Sequence, residues 1–188
     1  MRDLSLHLLD LAQNSITAGA SLVTIRLILQ EDGWLHFDLL DNGRGMDQEL
    51  LARVISPFST TRTTRKVGLG IPMMMENARL TGGDLQIESV PGQGTGLHAT
   101  MDTGHIDCLP LGDIPGTLLT LIMAHPLTPD FLFEGKSPLG EASFDTREIR
   151  AVLGDVPLNK PDVVQWMKDT LEEQILPIFN PILGGMNG

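Results

Sequence analysis

A single cysteine, a shortage of basic residues and the lack of any long apolar run narrow what this sequence can be. Cys108 alone excludes an internal disulfide and any all-cysteine metal cage, and its plainest role is that of a small apolar residue. His36, His98, His105 and His125 show no metal-ligand spacing and His7 has no motif around it, so all five read as structural. Lysine and arginine total 13 against 24 aspartates and glutamates, a net charge of −11. That balance repels phosphate backbones, and only the cluster Arg62, Arg65 and Lys66 interrupts it, which disfavours nucleic acid as a partner. No eighteen consecutive residues are apolar. The start, MRDLSLHLLDLAQNS, sets Arg2, Asp3 and Asp10 among its leucines without a basic leader, so it is neither a spanning helix nor a signal peptide. These absences predict a cytoplasmic protein with no membrane contact. What is present is an apolar fraction of 41% over 188 residues, enough to bury a core.

Patterning places the elements. Leu4, Leu8 and Leu11, followed by Ser15 and Ala18, mark one side of a helix over about residues 4–18, stopped by Gly19. Asp10 and Asn14 are four apart on the same face. Two alternating runs, 23–29 and 35–39, joined through Glu31-Asp32-Gly33, predict a β-hairpin that ends at Asp41. Asp47 caps a short helix that ends before Pro57, and residues 59–67 read as a polar, basic loop that orders on binding. A helix over about 70–80 then precedes two strands, 84–89 and 95–101. The expected fold is α+β, a two-layer α/β sandwich over residues 1–102. Residues 103–188 predict a small C-terminal α+β region: a helix after Pro115, two short strands, the helix TREIRAVLG behind Asp145 or Thr146, and a last helix from Pro161 that ends before Pro177.

Four motifs stand in order along the first hundred residues: Asn14 in LDLAQNSITAGAS, DNGRGM from Asp41 to Met46, PFSTTR followed by VGLGIP, and PGQGTG from Pro91 to Gly96. Each alone is weak. Asn14 alone would be a surface helix residue, DNG an ordinary turn, and the basic stretch a solvated loop. Together they resemble the GHKL superfamily, the histidine-kinase-like ATP-binding fold shared by gyrase-type topoisomerases, heat-shock chaperones, sensor histidine kinases and mismatch-repair ATPases. The match covers roughly residues 1–102.

The resemblance implies ATP and Mg²⁺ as cofactors. It makes Asn14 the metal-binding asparagine, one neutral oxygen ligand to a magnesium otherwise held by water and phosphate oxygens. Asp10 matches the position of a glutamate that acts as general base in many members; here the side chain is shorter by one bond of about 1.5 Å, and a structural or water-orienting role stays open beside the catalytic one. Asp41 matches the adenine-reading aspartate, with Gly43 and Gly45 admitting the base closely and Met46 packing near it. Gly68, Leu69 and Gly70 match the second glycine box, which lies against the phosphates at a helix start. Thr60, Thr61, Arg62, Arg65 and Lys66 would form the lid before it, Arg62 first among the phosphate contacts. Thr95, in GTG, matches the threonine that supports the aspartate and its water. The chain departs from many sensor kinases at Thr17, where they carry lysine or arginine, and in VGLGIP, which keeps only the last glycine pair of GTGLGL.

Sensor kinases place a dimerising helical hairpin before the ATP domain, and this chain begins at the domain itself. The resemblance therefore implies a stand-alone Mg-dependent ATP-binding protein, acting as a protein kinase or slow ATPase switch. Its expected partners are ATP or ADP, a protein partner or phosphoacceptor met by residues 103–188, and a second copy in a homodimer. A non-catalytic interaction module with structural nucleotide is the alternative, and an ATPase subunit of a DNA-linked machine is a third reading that the acidic balance disfavours.

Overall fold

Asp3 sets the start of α1 (Leu4–Thr17). Its side chain accepts the Leu6 amide at 3.0 Å and the Ser5 hydroxyl at 2.7 Å, satisfying a donor that a helix start leaves over. Leu4, Leu8, Leu11, Ala12 and Ser15 recur at helical spacing and are all buried. At the far end Gly19, at φ 76°, turns the Gly19 and Ala20 amides back onto the Ile16 and Ser15 carbonyls in a Schellman cap. The chain then runs out as β1 (Leu22–Leu29) and returns as β2 (Trp34–Asp41). Their antiparallel register pairs Val23 with Asp41 and Leu29 with Leu35. Val23, Ile25, Leu27, Leu35, Phe37 and Leu39 therefore share one face and are buried, and a slip of one residue would turn Arg26 and Asp38 into the core instead.

The computed structural model describes residues 2–55 and 69–183. Within them, Asp47 accepts the Leu50 amide at 2.8 Å and so starts α2 (Gln48–Ile55). In α3 (Gly70–Leu80), Met74 and Met75 are buried and Met73 is half-buried, so the three consecutive methionines divide between the core and its margin. β3 (Asp84–Val90) and β4 (Gly94–Asp102) form the second hairpin, and β4 pairs with β2.

The remaining elements are α4 (Ile114–Ala124), β5 (Asp130–Ser137), β6 (Gly140–Asp145), α5 (Thr146–Leu153) and α6 (Pro161–Leu183). Asp113 and Asp145 cap α4 and α5 by accepting the Gly116 and Arg147 amides, each at 2.9 Å. The two strands form no sheet of their own. β5 lies parallel to β1, with Leu22 opposite Asp130 and Ile28 opposite Lys136, and β6 follows antiparallel. One six-stranded mixed sheet results, in the order β3-β4-β2-β1-β5-β6. Its buried face packs under the helices; on its half-exposed face His98, Asp38, Arg26 and Glu134 stand in one register row, with Arg26 paired to Glu134.

The last helix differs from expectation. Instead of ending before Pro177 it continues through Pro177 and Pro181 to Leu183. A proline inside a helix costs about 3 kcal/mol in an isolated segment, but both rings stand on the exposed side while Ile175, Ile178, Phe179 and Leu183 are buried. Burying each such side chain contributes about 1.5 to 3 kcal/mol, which outweighs that cost. Among the described residues no helix is long and apolar enough to cross a membrane.

Candidate functional site

The middle of α1, the end of β2, the start of α3 and the β3–β4 turn meet at one end of the sheet. Asp41 is the last residue of β2 and stands opposite Thr95 on β4. The Ser15 hydroxyl, reaching across from α1, donates to its Oδ2 at 2.6 Å, and the Gly43 amide donates to Oδ1 at 2.9 Å. The carboxylate is thus held from the helix and from its own loop, with about half of its roughly four lone-pair sites left for further donors.

The loop after Asp41 is fixed on both sides. The Arg44 amide donates to the Ala18 carbonyl at 3.0 Å, and the Gly92 amide donates to the Arg44 carbonyl at 2.7 Å. Gly43 is buried, with the Ala18 side chain 3.0 Å from where a Cβ would stand. Gly45 has φ 65°, and a Cβ there would fall 2.0 Å from the Val90 carbonyl oxygen. A side chain at 45 would therefore force the β3–β4 turn away from the end of β2. Met46 packs at the margin of the core, and its amide donates to Ser89 Oγ at 2.8 Å. Ser89 Oγ lies 2.9 Å from Thr95 Oγ1 and donates to the Gly94 carbonyl at 3.1 Å, so Met46, Ser89 and Thr95 form one polar string beside Asp41.

On the helical side, half-buried Asp10 meets buried Gly70, the first residue of α3. A Cβ on Gly70 would stand 2.0 Å from Asp10 Oδ2, so only glycine admits this approach. The carboxylate lies against a helix N-terminus, whose free amides and dipole favour negative charge. Asn14, one turn further along α1, is exposed, and Leu69 is 60% exposed just before Gly70. Behind Asp10, fully buried His7 ties α1 to α3: its Nε2 is 2.8 Å from Asn77 Nδ2, and its Nδ1 has no partner among the described residues. Burial lowers the pKa of His7 below its ordinary value, so the neutral ring is favoured.

Asp10, Asn14, Asp41, Gly43, Gly45, Met46, Leu69, Gly70 and Thr95 thus all fall on the four segments that meet here. Thr60, Thr61, Arg62, Arg65, Lys66 and Gly68 lie outside the described residues. Ser15, inside the Asn14 motif, and Ser89, outside any motif, also join the site; the available signal for Ser15 was that it is a polar residue on the buried face of α1, where it needs a partner. Among the described residues no group of three or more His, Cys, Asp or Glu could hold a metal. A cation here would take few protein ligands, and the exposed amide oxygen of Asn14, a hard neutral donor, fits magnesium in that role.

The family model described as "Histidine kinase-, DNA gyrase B-, and HSP90-like ATPase" matches residues 2–105. The chain is 32% identical over 110 residues to the non-motile and phage-resistance protein of Caulobacter vibrioides, covering 53% of this chain and 13% of that protein. It is 33% identical over 86 residues to the two-component sensor PprA of Pseudomonas aeruginosa, covering 43% of the chain and 9% of the relative. To the sensor protein kinase FleS of the same organism it is 40% identical over 89 residues, with 46% of the chain and 22% of the relative covered. The chain thus matches less than a quarter of the length of each of these relatives. With more than half of its residues under the family model, the chain belongs to the histidine kinase-, DNA gyrase B- and HSP90-like ATPases, a family whose fold implies ATP binding.

Proposed function

We propose that this chain binds Mg·ATP and acts on a protein partner, either as a kinase or as a slow ATPase switch. The observation that carries the reading is the doubly held carboxylate of Asp41 on one side of a site whose other side is Asp10 against the start of α3. Asp41 would accept the exocyclic amine of adenine, directly and through water, and would reject guanine, which presents an acceptor at that edge. Thr95 and Ser89 would hold that water. Asn14 would give the magnesium its one protein ligand; the ion, when bound, neutralises phosphate charge. Asp10 would take the proton from the attacking water or acceptor hydroxyl. Arg62 and Lys66, with Thr60 and Thr61, would close over the phosphates in front of Gly68, Leu69 and Gly70. In this reading residues 1–102 serve the nucleotide and residues 103–188 the partner, and the protein works in the cytoplasm.

A second reading has one feature in its favour. Aspartate at position 10 is shorter than the glutamate many relatives use, and its carboxylate is packed closely against Gly70 at the start of α3, which suits a module that keeps its nucleotide without consuming it. Incubation with γ-labelled ATP and Mg²⁺, following released phosphate and labelled protein, separates the two. Turnover that is lost in both Asn14→Ala and Asp41→Asn supports the enzyme. Saturable Mg-linked binding without turnover supports the module, and no binding at all sinks both.

A further inference from the structure

A groove of about 470 Å³ opens between α5 and the start of α6. Ile149, Leu153 and Val163 form its floor with Val152 and Trp166 beside them, and Glu148 and Asp162 complete the lining. Two of the apolar residues face outward: Val152 is 87% exposed and Trp166 52%. Neither burial nor helix propensity accounts for a tryptophan and a valine held out on adjacent helices, whereas exposed aromatic anchors beside an apolar floor are what protein interfaces use. The wall offers a small molecule almost no converging polar groups to orient it, which argues against a metabolite.

Charge decides the occupant. The lining carries two carboxylates and no cation, and neither Glu148 nor Asp162 has an ion-pair partner among the described residues. The nearby cations are mostly spent elsewhere: Arg147 lies 2.7 Å from Asp145, Arg150 2.8 Å from Asp130 and Lys168 3.9 Å from Glu172, while Lys160 stands outside the lining. A second copy of this chain would bring a further net charge of −11 to an acidic rim.

We propose that the α5–α6 groove docks an amphipathic, basic helical segment of the partner protein, with apolar anchors at i, i+3 or i+4 and i+7 seated against Val152 and Trp166 and flanking lysines or arginines paired with Glu148 and Asp162. The inference rests on the reading that the chain acts on a protein, and its test needs no nucleotide. Nucleotide-free protein is used to select from a displayed library of helical peptides in which apolar spacing and charge vary freely. Enriched peptides are expected to share that apolar spacing and to carry Lys or Arg. They should bind at least about tenfold more weakly to Trp166→Ala and to the double variant Glu148→Gln, Asp162→Asn, and more weakly as salt rises. All three positions are exposed, and circular dichroism checks that the variants fold. Failure to enrich any peptide that depends on the groove overturns the proposal, as does enrichment of acidic ones. A dimer in sedimentation that Val152→Lys dissolves also overturns it, by making a second copy the occupant. ATP titration of the unsubstituted protein reports on the other site: absent ATP binding with groove-dependent peptide binding sinks only the nucleotide reading, and the converse sinks only the groove.

Discussion

Asp41 and Asp10 are both carboxylates at the same end of the sheet, yet their surroundings give them different work. Asp41 has two protein donors and room for more, so Asp41→Asn, which turns one acceptor into a donor facing the Ser15 hydroxyl or the base, should weaken ATP binding at least about tenfold by isothermal titration. Ser15→Ala leaves the carboxylate but removes its anchor. A smaller loss of affinity is expected, together with about 1 kcal/mol of stability in urea unfolding. Asp10 is constrained instead by the space at Gly70. A methyl group there collides with Oδ2, so Gly70→Ala should push the carboxylate away from the α3 N-terminus. If Asp10 is the base, phosphate release falls while much of the ATP affinity stays; equal loss of both would make position 70 a binding position only. Asp10, Asn14, Asp41 and Gly70 were legible because each belongs to a motif with fixed spacing. Ser15 and Ser89 were not, because their partners lie 26 and 6 residues away and only the folded chain brings the atoms together.

Between elements, the contact that matters most is the one that sets α1 against α3, since these helices carry Asp10 and Gly70. His7 and Asn77 are its polar link. Burial lowers the pKa of His7, so the folded chain holds fewer protons than the unfolded chain as pH falls below the ordinary histidine value of 6.5. Stability from this group is therefore full above 6.5 and is lost as pH drops toward the lower folded value. Urea midpoints measured on either side of pH 6.5 should show that loss in the wild type and a flatter profile in His7→Gln. α6 offers an opposite case, in which the local signal misled. Prolines end helices when only propensity is considered, but the buried stripe through Ile175, Ile178, Phe179 and Leu183 carries α6 past them. Because Pro177 is exposed, Pro177→Ala restores a backbone donor without opening a cavity, and a gain of about 1 kcal/mol is expected from the urea midpoint, less than the propensity difference because the unfolded chain also gains freedom.

For the molecule as a whole, the decisive feature is that β5 and β6 extend the sheet past β1. Without them, β1 would be an edge strand presenting a row of unpaired backbone groups. A chain cut after residue 102 should therefore lose stability and self-associate in sedimentation, even though every nucleotide motif is retained; a monomer of undiminished stability would contradict this. The sequence by itself determined the hairpins, the helix starts at Asp47 and near Asp145, and the motif residues that identify the family, because periodicity, caps and spacing are local signals carried by neighbouring residues. Only the tertiary structure decided that β5 pairs parallel to β1 across more than a hundred residues, that Ser15 holds Asp41, and that α5 and α6 leave a groove between them. Those outcomes depend on which surfaces are left to bury once the local elements have formed, and no short window of sequence contains that information.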